Sequence, residues 1–180
     1  MTSCDISSGD KTMFFQARMP GERGTPMRDF NDTDRKKKQG RISLPDNPDN
    51  LSPDALRELE IAVRGAVRDG YVACPAAWKI AADAEITRLA VGTMVDRLGI
   101  RITDCQLGCF RVSKTAHNGT VTEPFTDEVS GRVAALGATG ELTCANAFAL
   151  AAELGVKARS VAEAANVQGC KIKQCQLGCF

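Results

Sequence analysis

Apolar residues fall at Ala77, Ile80, Ala81 and Ala84, the i, i+3, i+4, i+7 spacing of a single helix face. Ala147, Leu150, Ala151 and Leu154 repeat the stripe seventy positions on. A second stripe, Val91, Met94, Val95 and Leu98, is matched by Val161, Ala164 and Ala165, with Gln168 breaking it. Upstream of each pair, residues 52–70 and 125–140 read as one amphipathic helix ending at a glycine. Downstream, Gly99 and Gly169 stop the last helix, and GIRITDC and GCKIKQC alternate like short strands. The expected order per unit is helix, helix, tight turn, helix, strand.

The unit occurs twice. Sliding the chain by 70 positions lays residues 71–110 over 141–180 without a gap. Cys74/Cys144, Ala77/Ala147, Ala81/Ala151, Val91/Val161, Gly99/Gly169 and Ile102/Ile172 are identical pairs. The hexapeptide CQLGCF at 105–110 recurs whole at 175–180. The predicted division is an N-terminal arm over 1–50, one repeat over 51–110, a linker over 111–124 and a second repeat over 125–180. The arm is rich in Pro, Gly, Asp and Asn without apolar period, which predicts disorder. Its basic cluster, Arg35, Lys36, Lys37, Lys38 and Arg41, reads either as a solvated linker or as an arm that touches phosphates. Residues 111–115, RVSKT, would return as the second strand of a wing in the first repeat only.

Residues 147–166, AFALAAELGVKARSVAEAAN, resemble the two-helix core of the helix-turn-helix superfamily. Ala151 stands where the helices cross, Gly155 at the turn, and Leu150, Leu154, Val156, Val161 and Ala164 at the apolar positions. Residues 77–96 repeat this with Ala81, Ile80, Ala84, Ile86, Val91 and Met94. They depart at the turn, where Glu85 replaces the expected glycine, and a differently shaped turn is expected there. The resemblance implies a mostly α, winged-helix-like fold of two repeated units, each ending in a short β segment after the disordered arm. It also implies a DNA-binding transcriptional regulator. The recognition helices would offer Arg88, Thr93 and Arg97 in the first copy, and Lys157, Arg159, Ser160 and Asn166 in the second. Charge gives this little help: residues 51–180 hold 14 Lys and Arg against 14 Asp and Glu. The alternatives are a metal or iron–sulfur accessory protein, or a module for a protein partner or a second copy of the chain, each using the fold without DNA.

Each repeat carries three cysteines at one spacing: Cys74, Cys105 and Cys109, then Cys144, Cys175 and Cys179. An uninterrupted strand would hold the last two roughly 13 Å apart, at about 3.3 Å per residue. Gly108 and Gly178 allow a turn that brings them together. Three readings stay open: buried packing residues, ligands for zinc or an iron–sulfur cluster, and a redox disulfide. Six thiolates from both units could also meet across a pseudo-twofold axis. Cys4 and Cys170 have no counterpart in the repeat.

Composition narrows the field. Of 180 residues 43% are hydrophobic but only 5% aromatic, so small aliphatic side chains fill the core. No apolar run is long enough to span a bilayer and the N-terminus lacks a signal-peptide core, so a soluble, cytoplasmic protein with reduced thiols is expected. The one histidine, His117, lies in the linker, and no phosphate loop, GxSxG or HExxH is present. No enzyme is expected.

Overall fold

A computed structural model describes residues 33, 36, 43–109 and 124–180. The linker, the wing segment, His117, Phe110, Cys4 and the basic cluster other than Lys36 lie outside the described residues. The fold is mostly helical, with two short strands. The first repeat runs α1 (Pro53–Gly65), β1 (Tyr71–Ala73), α2 (Cys74–Asp83), α3 (Arg88–Arg97) and β2 (Arg101–Thr103). The second runs α4 (Asp127–Thr139), α5 (Cys144–Glu153) and α6 (Ala158–Val167).

Hydroxyl caps start most of these helices. Ser52, Thr87, Thr126 and Thr143 each accept the backbone N–H three residues ahead, satisfying a donor that the first turn leaves open. The first helix is shorter than its pattern suggests. Asp69 and Gly70 both take positive φ, and Arg68 and Tyr71 exchange backbone bonds of 2.8 and 2.9 Å around them. This two-residue Asp-Gly turn ends the helical stretch at Gly65 and leads into β1.

β1 and β2 pair in parallel, Tyr71 with Arg101, Val72 with Ile102 and Ala73 with Thr103. The second repeat keeps one bridge of the same ladder, Thr143 with Lys173, at the same register. The turn after α2 corrects the expectation drawn from Glu85. Its φ is 54° against 62° at Gly155, and Ile86 and Val156 donate back to Ala81 and Ala151 at 3.0 and 2.9 Å. Both copies therefore make the same left-handed turn, and Glu85 bears the strain of a side chain there.

The two cores are exchanged at their ends. Leu177, buried at 1% exposure, packs with Leu59, Val63, Val72, Val91 and Met94 of the first repeat. Leu107 packs with Val129, Val133, Leu142 and Leu150 of the second. Each hexapeptide thus completes the core of the other repeat. The approach is tightest at Gly92 in α3, where a Cβ would lie 2.1 Å from the Leu177 carbonyl oxygen. Trp78 and Phe148, equivalent by the 70-residue shift, meet each other with ring centroids 4.4 Å apart. Contact between equivalent residues marks a pseudo-twofold axis, the arrangement of a symmetric dimer within one chain.

Part of the stretch assigned to the arm is ordered. Residues 43–50 lie along α3: the Pro45 carbonyl accepts from Thr93, and the Asp46 carbonyl from Arg97. The Asp49 carboxylate accepts from Thr87 N–H and hydroxyl, both at 2.6 Å. Leu44 rests on Gly178, where a Cβ would come within 2.6 Å of it.

Candidate thiol site between the repeats

Cys74 and Cys144 are the first residues of α2 and α5, set there by the parallel bridges that precede them. The other four cysteines arrive on the hexapeptides. Two backbone positions steer each hexapeptide. Asp104 (φ 51°) and Gln174 (φ 50°) bend the chain out of its strand, and Gly108 (φ 74°) and Gly178 (φ 64°) fold it back. Gly108 N–H and Gly178 N–H each donate 2.8 Å to the carbonyl of the cysteine three residues earlier. The turn expected at the glycine is present, and it sets the paired thiols side by side.

Pairwise contacts and charge effects link the six thiols across the axis into a thiol layer. Cys105 and Cys109 are hydrogen-bonded to one another. Cys144 bonds Cys175, which also bonds Cys179. Cys74 senses the charge of both Cys105 and Cys144, and Cys109 that of Cys144 and Cys175. Gln106 Nε2 donates to Cys74 Sγ at 3.7 Å, and Gln176 Nε2 to Cys144 Sγ at 3.6 Å. Cys74, Cys105 and Cys144 are buried, Cys175 and Cys179 half-buried, and Cys109 exposed. A cleft of about 390 Å³ opens beside Cys109, lined also by Leu107, Cys170, Lys171 and Phe180.

Four thiols of the layer are held protonated. The bond to Cys105, then partial desolvation of a sulfur that is still open to solvent, drives Cys109 well above the ordinary thiol value. The bond to Cys175, then burial, does the same to Cys144. For Cys175 the Cys144 bond pulls downward, but the bond to Cys179 and burial outweigh it and push the thiol up to about 12. Burial raises Cys74, against an opposing bond from Gln106. These shifts fix the sign of an alkaline effect. A proton held more tightly in the folded state stabilises that state fully below the unfolded thiol value, near 9.0. That contribution falls away as pH rises toward about 12 for Cys175. The urea midpoint of the reduced chain should therefore decline above about pH 9, and replacing Cys109 and Cys175 by serine should flatten the decline. A midpoint unchanged between about pH 7 and about pH 10.5 would contradict it.

The ligand triplet, one of the three readings left open by the sequence, is not formed among the described residues. Among the described residues, no group of three or more His, Cys, Asp or Glu side chains is placed to hold a metal ion. Thiols contact one another pairwise, and one such contact, Cys144 with Cys175, joins the start of α5 to the second hexapeptide. Cys170 lines the cleft beside Cys109, with its Sγ 3.9 Å from the Gln168 carbonyl.

The residues proposed for DNA are spread over different surroundings. Arg88 stacks on Trp78, 3.4 Å from the ring centroid, and donates to Gln176 Oε1. Thr93 and Ser160 are buried at 8% and 5% exposure. Arg97 holds the 43–50 segment, and Arg159 lies against Gly108. Lys157 and Asn166 are exposed. Ala90–Val95 and Ser160–Ala165 are buried without interruption, so the middle turns of α3 and α6 face protein on all sides.

Gln106, Gln176 and Trp78 were not expected in the site. The signal for Trp78 was its position: the chain's one tryptophan stands seventy residues before Phe148. No family model, curated protein or solved structure matches the chain. Among the described residues no helix is long and apolar enough to cross a membrane.

Proposed function

We propose that the chain is a thiol-based metal-handling protein, in which the two helical repeats serve as a frame for the cysteine layer. One observation carries this reading: cysteines from both repeats and both exchanged hexapeptides gather at one axis. Packing alone accounts for buried cysteines but not for thiols placed against thiols, since an aliphatic side chain would fill the same space without polar contacts. Closely set thiols resist ionising together because their negative charges repel. A bound cation relieves that repulsion and deprotonates its thiols outright. Raised pKa values weigh against a fast redox sensor, which needs an exposed thiolate of lowered pKa.

The DNA-binding regulator rests on the resemblance of residues 147–166 and 77–96. The burial of α3 and α6 leaves it the first turns and little else, and residues 51–180 carry as many acidic as basic side chains.

Anaerobic purification followed by metal and acid-labile sulfide analysis tests the metal reading. Reduced protein offered zinc, copper(I), or iron with sulfide should retain metal through gel filtration. A chain with serine at all six layer positions should not. Failure of the native chain to retain any of them would overturn the reading.

A further inference from the structure

The donor set and its pairing carry the metal reading one step further, to the class of ion. Zinc in a structural site takes four ligands in a tetrahedron, and an iron–sulfur cluster is held by about four thiolates. Neither finds its ligands here. Among the described residues no group of three or more His, Cys, Asp or Glu side chains is placed to hold a metal ion. What does occur is the thiol pair, Cys105 with Cys109 and Cys175 with Cys144 or Cys179. A pair is a complete donor set for a soft monovalent d10 cation, which binds two thiolates in line.

Resting on the proposed metal-handling role, we infer that the layer takes copper(I)-class cations at two-sulfur sites, one at Cys105 and Cys109 and one centred on Cys175. Each site binds one cation, and both thiols lose their protons to solvent, so the bis-thiolate complex carries a single negative charge. A tetrathiolate zinc complex would carry two, a heavier load for a half-buried site.

The surroundings suit the smaller charge. Arg88, held over the Trp78 ring, donates to Gln176, which donates through its amide N–H to Cys144 Sγ. That chain points the positive end of the amide dipole at sulfur and stabilises a thiolate there without a cation entering the layer. Gln106 does the same for Cys74. The Arg88 guanidinium is linked to the sulfur through one intervening residue, Gln176. Loading has a route as well: exposed Cys109 lines the cleft, while Leu44 covers the equivalent glycine at the other hexapeptide.

The test uses the whole reduced chain under anaerobic conditions. Copper(I) as its acetonitrile complex, silver(I) and zinc(II) are titrated separately and then in competition. X-ray absorption reports the sulfur count, and a weakly buffered indicator reports protons. The expected result is about two copper(I) or silver(I) ions per chain, each with two sulfurs and about two protons released, and displacement of zinc. Cys109→Ser should remove one ion and leave the other. Because Cys109 is exposed, the variant should keep its helical circular dichroism, which separates a lost site from a lost fold. Zinc held by four sulfurs and not displaced by copper(I) would overturn the two-sulfur sites while leaving the metal-handling role intact. Uptake of no metal of any class would remove both.

Discussion

Gly92→Ala is expected to destabilise the protein by about 3 kcal/mol and to release the C-terminal hexapeptide from its seat. The alanine Cβ would lie 2.1 Å from the Leu177 carbonyl oxygen and 2.6 Å from its carbon, well inside contact distance. Those atoms are backbone, so no rotamer change relieves the clash. α3 cannot retreat either, because Val91, Met94 and Val95 on its other faces are already buried. The hexapeptide must move, and Cys175 and Cys179 move with it. Thiol labelling should accordingly become faster at those two cysteines in the variant, alongside a lower urea midpoint. Gly131→Ala is the matched control. It lies inside α4 with nothing within 4 Å of its Cβ position, so removing a helix glycine should stabilise by about 0.5–1 kcal/mol. Equal midpoints for the two variants would show that Gly92 is not a point of close approach.

The duplication and its helices were legible because they depend on local spacing. A stripe such as Ala77, Ile80, Ala81 and Ala84 can satisfy only a helix with one buried face, and the second copy repeats it. The turn at Glu85 was misread because the requirement for positive φ was weighed against the residue type alone. Packing of Ala81 and Ile86 on either side holds the backbone in the left-handed region regardless of the side chain. The placement of residues 43–50 was not legible for a similar reason: they have no period of their own, and they are held by hydrogen bonds to Thr87, Thr93 and Arg97 far along the chain.

The thiol layer was half legible. Spacing and the glycine gave the local pair, Cys105 with Cys109, together with its copy. The choice between three thiols per repeat and six shared across an axis depends on where each hexapeptide goes after its strand. Asp104 and Gln174 decide that by adopting positive φ, and neither residue type announces it. A pattern that assigns each residue to its own repeat cannot reveal an exchange, since identical hexapeptides fit either core equally well. The same limit governs Arg88. Its place on a presumed recognition helix suggested phosphate or base contacts, while its stacking on Trp78 and its bond to Gln176 bring together residues from both repeats.

Leu177→Ala is expected to loosen the first repeat, although the residue belongs to the second. Leu177 is 1% exposed and lies among Leu59, Val63, Val72 and Met94, so truncation should leave a cavity and destabilise by about 2–5 kcal/mol. Leu107→Ala should do the reverse, opening space beside Val129, Val133, Leu142 and Leu150. Hydrogen exchange distinguishes this from a general loss of stability. Amides of α1 and α3 should lose protection first in the Leu177 variant, and those of α4 and α6 in the Leu107 variant. If each leucine instead loosened its own repeat, the exchanged cores would be wrong, and so would the layer they create. The double variant adds a second check. The two leucines sit in separate cores, so their effects should add within about 0.5 kcal/mol if the cores are independent. The cores are joined by Trp78 against Phe148 and by the thiol contacts, and both hexapeptides run through that junction. A shortfall or excess of more than about 1 kcal/mol would mean that the two hexapeptides seat as one cooperative unit. In that case a cation bound at one pair of thiols would also strengthen the seat of the other.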